Sequence, residues 1–243
     1  MIVGLIPARI NSFRLPRKPL LKIDKIPIVI HTMKRAMLCK KIDKIYVCTD
    51  SEEIAKVVEE YSGNFILTKS THNNGTERIA EAAKKIGRVS KIIDIQCDEV
   101  LLNPKNLSLL IDFHSKNNKF DIVVPHSLLK KKTDRNVVKI VSNEDRKILY
   151  MSRENIPFSN IAITFKRHLD IISFKPNILK KFSNLKKSLN ERIEGIELLR
   201  AIDNNFSVGT FQIKTDTFSV NTKTDYINAI EFMKNCPLRK KYS

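Results

Sequence analysis

The chain has 243 residues, 42% hydrophobic and 29% charged, which is enough apolar mass for a sizeable folded core and excludes a disordered chain. Its formal net charge of +18 leaves nucleic acid, an anionic membrane face or an anionic small molecule as partners to weigh. No zinc-finger, basic-zipper or RNP-type aromatic signature occurs and no apolar run is long enough to span a bilayer, so neither nucleic-acid binding nor membrane insertion is expected.

Taken in order, Ile2, Val3, Leu5 and Ile6 predict a buried strand close to the N-terminus. Apolar residues at helical spacing predict a helix over Ile26 to Cys39, and Ile45-Tyr46-Val47-Cys48 a second strand. Asp50 or Ser51 then reads as the N-cap of a helix with Glu52 and Glu53 in its first turn. A short strand over Asn64 to Leu67, a helix after Gly75-Thr76 and a buried strand over Ile92 to Gln96 follow. This alternation predicts an α/β fold with a doubly wound, mostly parallel sheet.

From Asp121 the rhythm changes. Ile122 to Pro125, Val137 to Val141, Ile148 to Met151 and Leu169 to Phe174 read as short strands of a smaller mixed β region. Leu179 to Phe182 and Ile193 to Ile202 read as helical, Phe206 to Phe211 as a strand, and Asp225 to Met233 as a closing helix. No linker or repeat divides the chain, so a single domain over residues 1–243 is expected. Cys39, Cys48, Cys97 and Cys236 lack CxxC or zinc spacing, and no signal-peptide n-region precedes the first apolar run. Reduced thiols in a cytoplasmic protein are the expectation.

The chemistry concentrates where the first strand ends. Pro7-Ala8-Arg9-Ile10-Asn11-Ser12-Phe13-Arg14-Leu15-Pro16-Arg17-Lys18-Pro19 places four cations on a loop stiffened by prolines. Ligands of open α/β sheets bind beyond the carboxyl ends of the strands. Arginine forks and a lysine there suit phosphate oxygens, most simply those of a triphosphate. There is neither a GxGxxG nor a GxxxxGK[ST] segment, so neither a dinucleotide fold nor a P-loop is indicated. Asp98 and Glu99 follow the strand ending at Gln96, at the same end of the sheet, and would suit a Mg²⁺ ion bridging phosphates.

These residues resemble the N-terminal signature of the sugar-acid cytidylyltransferases, nearest to the branch acting on 3-deoxy-manno-octulosonate (Kdo). Ile95-Gln96-Cys97-Asp98-Glu99 is similar to the family's Gln-Gly-Asp-Glu-Pro metal motif, with Cys97 for the glycine and Val100 for the proline. His72-Asn73-Asn74-Gly75-Thr76-Glu77-Arg78 resembles a nucleotide-binding stretch, and Ser152-Arg153 to Ile156-Pro157 one whose arginine faces the sugar acid. Glu191 to Arg200 resembles the family's late acidic helix. The resemblance implies a nucleotide-diphospho-sugar transferase-like fold and nucleotide contacts from Pro7, Ala8, Arg9, Arg14, Lys18, Asp50, Gly75 and Thr76. It implies sugar-acid contacts from Ser12, Gln96, Arg153, His168 and Glu197, and metal ligation by Asp98 and Asn221. Arg14, Lys18 and Asp98 would be catalytic. A homodimer formed around residues 121–176, which would also bind sugar, is implied as well.

The family pattern is broken at two places. His168-Leu169-Asp170-Ile171-Ile172 keeps only the histidine of a His-x-Gly-x-Tyr sugar motif, and Leu198 replaces a glutamine. These swaps point to an altered sugar decoration, such as an amino analogue of Kdo or a nonulosonic acid. Asn221 stands where the family has an aspartate, which weakens the metal site unless Asp225 assists through water. The expected reaction is Mg²⁺-dependent joining of CTP and a 3-deoxy sugar acid into a CMP-sugar with release of pyrophosphate. A CTP-binding protein without catalysis and a basic nucleic-acid-binding module are the rival readings.

Overall fold

The computed structural model describes residues 1–243 except 13, 132, 134, 215–217 and 243. Phe13 of the basic loop and Lys132 of the Lys130–Lys132 run therefore lie outside the described residues. The chain forms two compact units, Met1–Leu109 with Thr217–Ser243, and Leu110–Asp216. The span 121–176 falls inside the second.

In the first unit, β1 (Ile2–Ala8) is buried from Val3 onward because it is central. It pairs in parallel with β4 (Lys44–Thr49) on one side and β6 (Lys91–Ile95) on the other, and β4 pairs in parallel with β5 (Asn64–Leu67). A strand covered on both faces reads as a continuous apolar run, and Ile-Val-Gly-Leu-Ile is one. β2 (Lys22–Ile23) and β3 (Ile26–Pro27) form a separate hairpin. The helix expected from Ile26 is thereby shortened: α1 is Ile28–Met37, since Ile26 pairs with Ile23 and Pro27, extended at φ −60° and ψ 147°, is the N-cap.

The helix α2 (Glu52–Glu60) starts at Ser51, whose hydroxyl accepts from the Ile54 amide, so Ser51 and not Asp50 is the cap. In α3 (Gly75–Lys84) the Asn74 side chain accepts from the Glu77 amide at 2.8 Å. α4 (Pro104–Lys116) has no counterpart among the sequence expectations, although Asn103-Pro104 is a sound start signal and Leu107, Leu110 and Ile111 bury one stripe.

The second unit is a mixed sheet centred on β7 (Ile122–Leu129). Its other strands are β8 (Lys139–Ser142), β9 (Ile148–Ser152), β10 (Phe165–His168), β11 (Ile171–Phe174) and, after the helices, β12 (Val208–Gln212). β7 runs antiparallel to β11 and β10 and parallel to β12, and β10, β8 and β9 continue antiparallel. The expected stop at Pro125 is overrun. Ile122 and Val123 pair with β11 while His126 to Leu129 pair with β10, so the proline without an N–H sits at the seam between partners.

Helices α5 (Pro176–Ser183), α6 (Leu189–Glu194) and α7 (Leu198–Asp203) cover this unit's remaining core. The single helix expected over Ile193 to Ile202 is two, because Gly195 adopts φ 64° and ends α6. Arg200 reaches back to Glu191 with two 2.7 Å bonds and fixes one short helix on the other; both side chains are buried. α8 (Lys223–Lys234) returns the chain to the first unit.

Candidate active site

The basic loop is held from beneath. The Lys18 amide donates to Leu15 O at 3.2 Å, Arg17 turns the chain at φ 55°, and a 3-10 turn over Lys18–Leu20 follows with Pro19 buried. Leu15 and Leu21 pack on an apolar cluster of Ile23, Ile28, Val100, Val220 and Met233. That cluster joins the loop, the segment beyond β6 and the approach to α8. Two backbone bonds tighten the join, from the Val220 amide to Asp98 O at 3.1 Å and from the Val100 amide to the same oxygen at 2.9 Å. Thr32 of α1 donates its hydroxyl to Cys97 O. Burial pushes the Cys97 thiol up to about 12, with the neighbouring Asp98 charge adding to it, so Cys97 acts as a small neutral hydrophobe.

Four polar side chains converge on this scaffold. Lys18 Nζ donates to Asp98 Oδ2 at 2.5 Å and to Asn221 Oδ1 at 3.4 Å, and Arg14 Nη2 donates to the same Asn221 oxygen at 3.3 Å. The Lys18 and Asp98 side chains are only 13% and 14% exposed, so their attraction is weakly screened. Arg17 turns away to Glu53 at the start of α2, and Arg9 is exposed at the end of β1.

The neighbouring acids are otherwise engaged. Glu99 is buried and accepts from the Ser219 hydroxyl. Asp225 Oδ2 accepts the Asn221 amide at 3.0 Å and the Thr222 amide at 2.8 Å, closing a capping box on α8. Asp225 Oδ2 thus has a structural duty, which holds the main chain at Asn221.

These donors fit a magnesium ion. Asp98 Oδ2 and Asn221 Oδ1 aim at one ammonium and so at one cation position, and both are hard oxygens. No cluster of three or more His, Cys, Asp or Glu side chains suited to a metal occurs among the described residues. One carboxylate plus one amide leaves several positions for phosphate oxygens and water, the usual arrangement for Mg²⁺ and not for a closed structural metal site.

The other residues expected to contact nucleotide belong to the same unit. A Cβ on Gly75 would sit 3.1 Å from Pro7 Cγ, so glycine is what lets the start of α3 lie against Pro7 at the end of β1. Ala8 and Thr76 are buried beside them in sequence. Asp50 accepts from Arg78 at 3.1 Å, and its Oδ1 is buried without a hydrogen-bond partner among the described residues. Arg78, itself buried, also donates to Thr68 at 2.6 Å. Arg78 is absent from the residues expected at the site, though it stands in the segment that resembles a nucleotide-binding stretch. Ser12 is half-buried, and Gln96 donates to Asp94 at 3.2 Å.

Arg153, His168 and Glu197 belong to the second unit. The Arg153 fork is occupied by main-chain oxygens of Glu194, Arg135 and Gly195, at 2.9, 3.0 and 3.4 Å. It therefore braces the end of α6 in this structure and does not stand open toward a carboxylate. His168 Nδ1 lies 3.2 Å from Asp170 Oδ1, and its Nε2 is buried without a hydrogen-bond partner among the described residues. Glu197 is half-buried at the N-cap of α7.

This architecture is similar to the solved structure of CMP:2-keto-3-deoxy-manno-octonic acid synthetase complexed with CTP, with a TM-score of 0.92, 27% identity and coverage of 96% of this chain and 98% of that one. The fold with its basic loop is that of a nucleotidyltransferase. A family model described as "Cytidylyltransferase" matches residues 3–211, and the chain belongs to that family. The 3-deoxy-manno-octulosonate cytidylyltransferase of a Nitratiruptor species is 35% identical over 238 residues, covering 94% of this chain and 99% of the relative. That of Chlorobium limicola is 35% identical over 231 residues, covering 92% and 93%.

Proposed function

We propose that the chain joins CTP to Kdo, giving CMP-Kdo and pyrophosphate. The observation that carries this reading is the convergence of Arg14 and Lys18 with Asp98 and Asn221 beyond β1 and β6. Relatives at 35% identity over nearly the whole chain bear the name of that reaction, which supports the choice of substrates. In the step, the anomeric hydroxyl oxygen of the sugar acid forms a bond to the α-phosphorus of CTP. The bond from that phosphorus to the bridging oxygen breaks, pyrophosphate leaves, and the hydroxyl proton passes to solvent.

Arg14 and Lys18 neutralise the triphosphate and hold it in line for attack, with Arg9 at the mouth of the loop. Pro7, Ala8, Gly75 and Thr76 shape the floor under the nucleoside, and the unpaired Asp50 oxygen, held by Arg78, accepts a donor there. Asp98 and Asn221 hold Mg²⁺, which when bound polarises the phosphoryl group and stabilises charge on the leaving phosphates. For the sugar acid the candidate contacts are Ser12 and Gln96 of the first unit and, taken by themselves, Arg153, His168 and Glu197 of the second. In that role Arg153 gives up some of its main-chain contacts to α6.

We place the reaction in the cytoplasm, since all four cysteines are free and three are buried. The described residues contain no helix long and apolar enough to cross a membrane. A homodimer through residues 121–176 completes the proposal, and Phe158 and Ile161, 86% and 77% exposed, are its apolar contacts. A pyrophosphate-release screen of CTP, ATP, GTP and UTP against Kdo, its amino analogue and nonulosonic acids tests the function. Release with CTP and Kdo supports it, and silence with every pair refutes it.

A further inference from the structure

The oxygens assigned to the metal already hold a cation, and that cation is part of the chain. Lys18 Nζ contacts both Asp98 Oδ2 and Asn221 Oδ1 from a side chain that is only 13% exposed. Arg14 Nη2 adds a second positive group on the same amide oxygen. With Asp98 as the one carboxylate among these four side chains, their sum is one net positive charge; an aspartate at position 221 would bring it to zero. A divalent ion approaching this group meets like charge and an oxygen pair already bonded to an ammonium.

A triphosphate reverses the sign. Its phosphates bring several negative charges against the single carboxylate of Asp98 and the weaker amide of Asn221, and lysine is a point charge on a flexible four-carbon stem able to swing between them. Asp98 and Asn221 are meanwhile fixed from behind by the bonds of Val220 and Val100 to Asp98 O and by the Asp225 cap. The main chain that carries both oxygens therefore stays in place when the lysine leaves.

We propose that Lys18 is a resident stand-in cation that keeps divalent metal off Asp98 and Asn221 until a nucleoside triphosphate draws it away, so that metal and nucleotide load as one unit. The inference rests on reading this cleft as the CTP and Mg²⁺ site. Asn221 is what leaves the group one positive charge in excess, because its neutral amide adds no second carboxylate against Lys18 and Arg14. Linkage makes the coupling reciprocal: whatever factor nucleotide adds to metal affinity, metal adds to nucleotide affinity.

Mn²⁺ is the probe, followed by loss of its free electron paramagnetic resonance signal on titrating the full chain without nucleotide. Wild type and Lys18→Arg are expected to bind little, while Lys18→Gln and Lys18→Met gain a site tighter by about tenfold or more, the scale of removing one adjacent like charge. Adding Asp98→Asn to Lys18→Gln removes the gain, and Asn221→Asp alone raises affinity above wild type. Melting curves check that each variant is folded, and Lys18→Met serves if Lys18→Gln is not. Wild type binding Mn²⁺ as tightly as the Lys18 variants, or no gain in either variant, overturns the proposal. Pyrophosphate release by wild type is measured in parallel. Release together with equal Mn²⁺ binding overturns the gating alone; no release with any sugar acid overturns the assigned function.

Discussion

Lys18 and Asp98 are 80 residues apart in sequence and 2.5 Å apart in the fold, joined across the carboxyl ends of two adjacent parallel strands. The contact exists because Leu15, Leu21, Val100 and Val220 share one apolar cluster, which brings the basic loop and the acidic strand end to a common floor. A strand pair thus turns two ordinary sequence segments into one polar site.

Arg14 reaches the same site from the exposed side of the loop. Replacing Arg14 with Ala should raise KM for CTP by about tenfold, the scale of one lost hydrogen-bonded charge on a phosphate, and should leave the melting temperature nearly unchanged. Initial-rate kinetics with CTP varied at saturating sugar acid measure it. An unaltered KM would remove Arg14 from the nucleotide site.

The α6–α7 pair depends on Glu191 and Arg200, which are 5% and 2% exposed and joined by two bonds. Glu191→Gln leaves a buried guanidinium without its counter-charge and should cost about 3 kcal/mol or more of stability. The double variant Glu191→Leu with Arg200→Met should recover most of that loss, since an apolar pair of similar volume removes the charge altogether. Urea unfolding of the three proteins decides it. Equal midpoints for wild type and Glu191→Gln would contradict the role given to the pair.

His126 sets an acid limit on stability. Burial holds it low, at about 4, with the Lys166 charge adding to the depression, while its Nδ1 is 2.8 Å from Thr210 Oγ1. In the unfolded chain it titrates near the ordinary value of about 6.5. The unfolded state therefore binds the proton first as pH falls. Stability from this group is complete above about pH 6.5 and declines from there to about pH 4. Melting curves of wild type and His126→Leu across that window should diverge in slope, with wild type losing more on acidification. Parallel curves would show that His126 is not the group responsible.

Much of the fold was legible because it rests on local patterns. β1, β4, β5 and β6 are short β-prone segments of a parallel sheet, three of them largely buried, and Ser51 and Asn74 are N-caps of standard type. The errors came where a tertiary partner overrules the pattern. Ile26 is claimed by a hairpin, Gly195 takes a left-handed turn inside an apolar repeat, and Pro125 is tolerated at a seam between strands. The long α4 is announced in sequence only by Asn103-Pro104 and an apolar stripe. At the site, residue types were legible and their pairings were not. Nothing in the sequence tells that Arg17 leaves for Glu53, that Glu99 turns to Ser219, or that the Arg153 fork is taken up by main-chain oxygens.

The most direct test is Asp98→Asn, which keeps shape and removes the carboxylate in contact with Lys18. Single-turnover pyrophosphate release from CTP and Kdo, with Mg²⁺ present, should slow by roughly 10²-fold or more, the scale of losing one preorganised electrostatic group. A rate within twofold of wild type would contradict the assignment of Asp98 to the Mg²⁺ site.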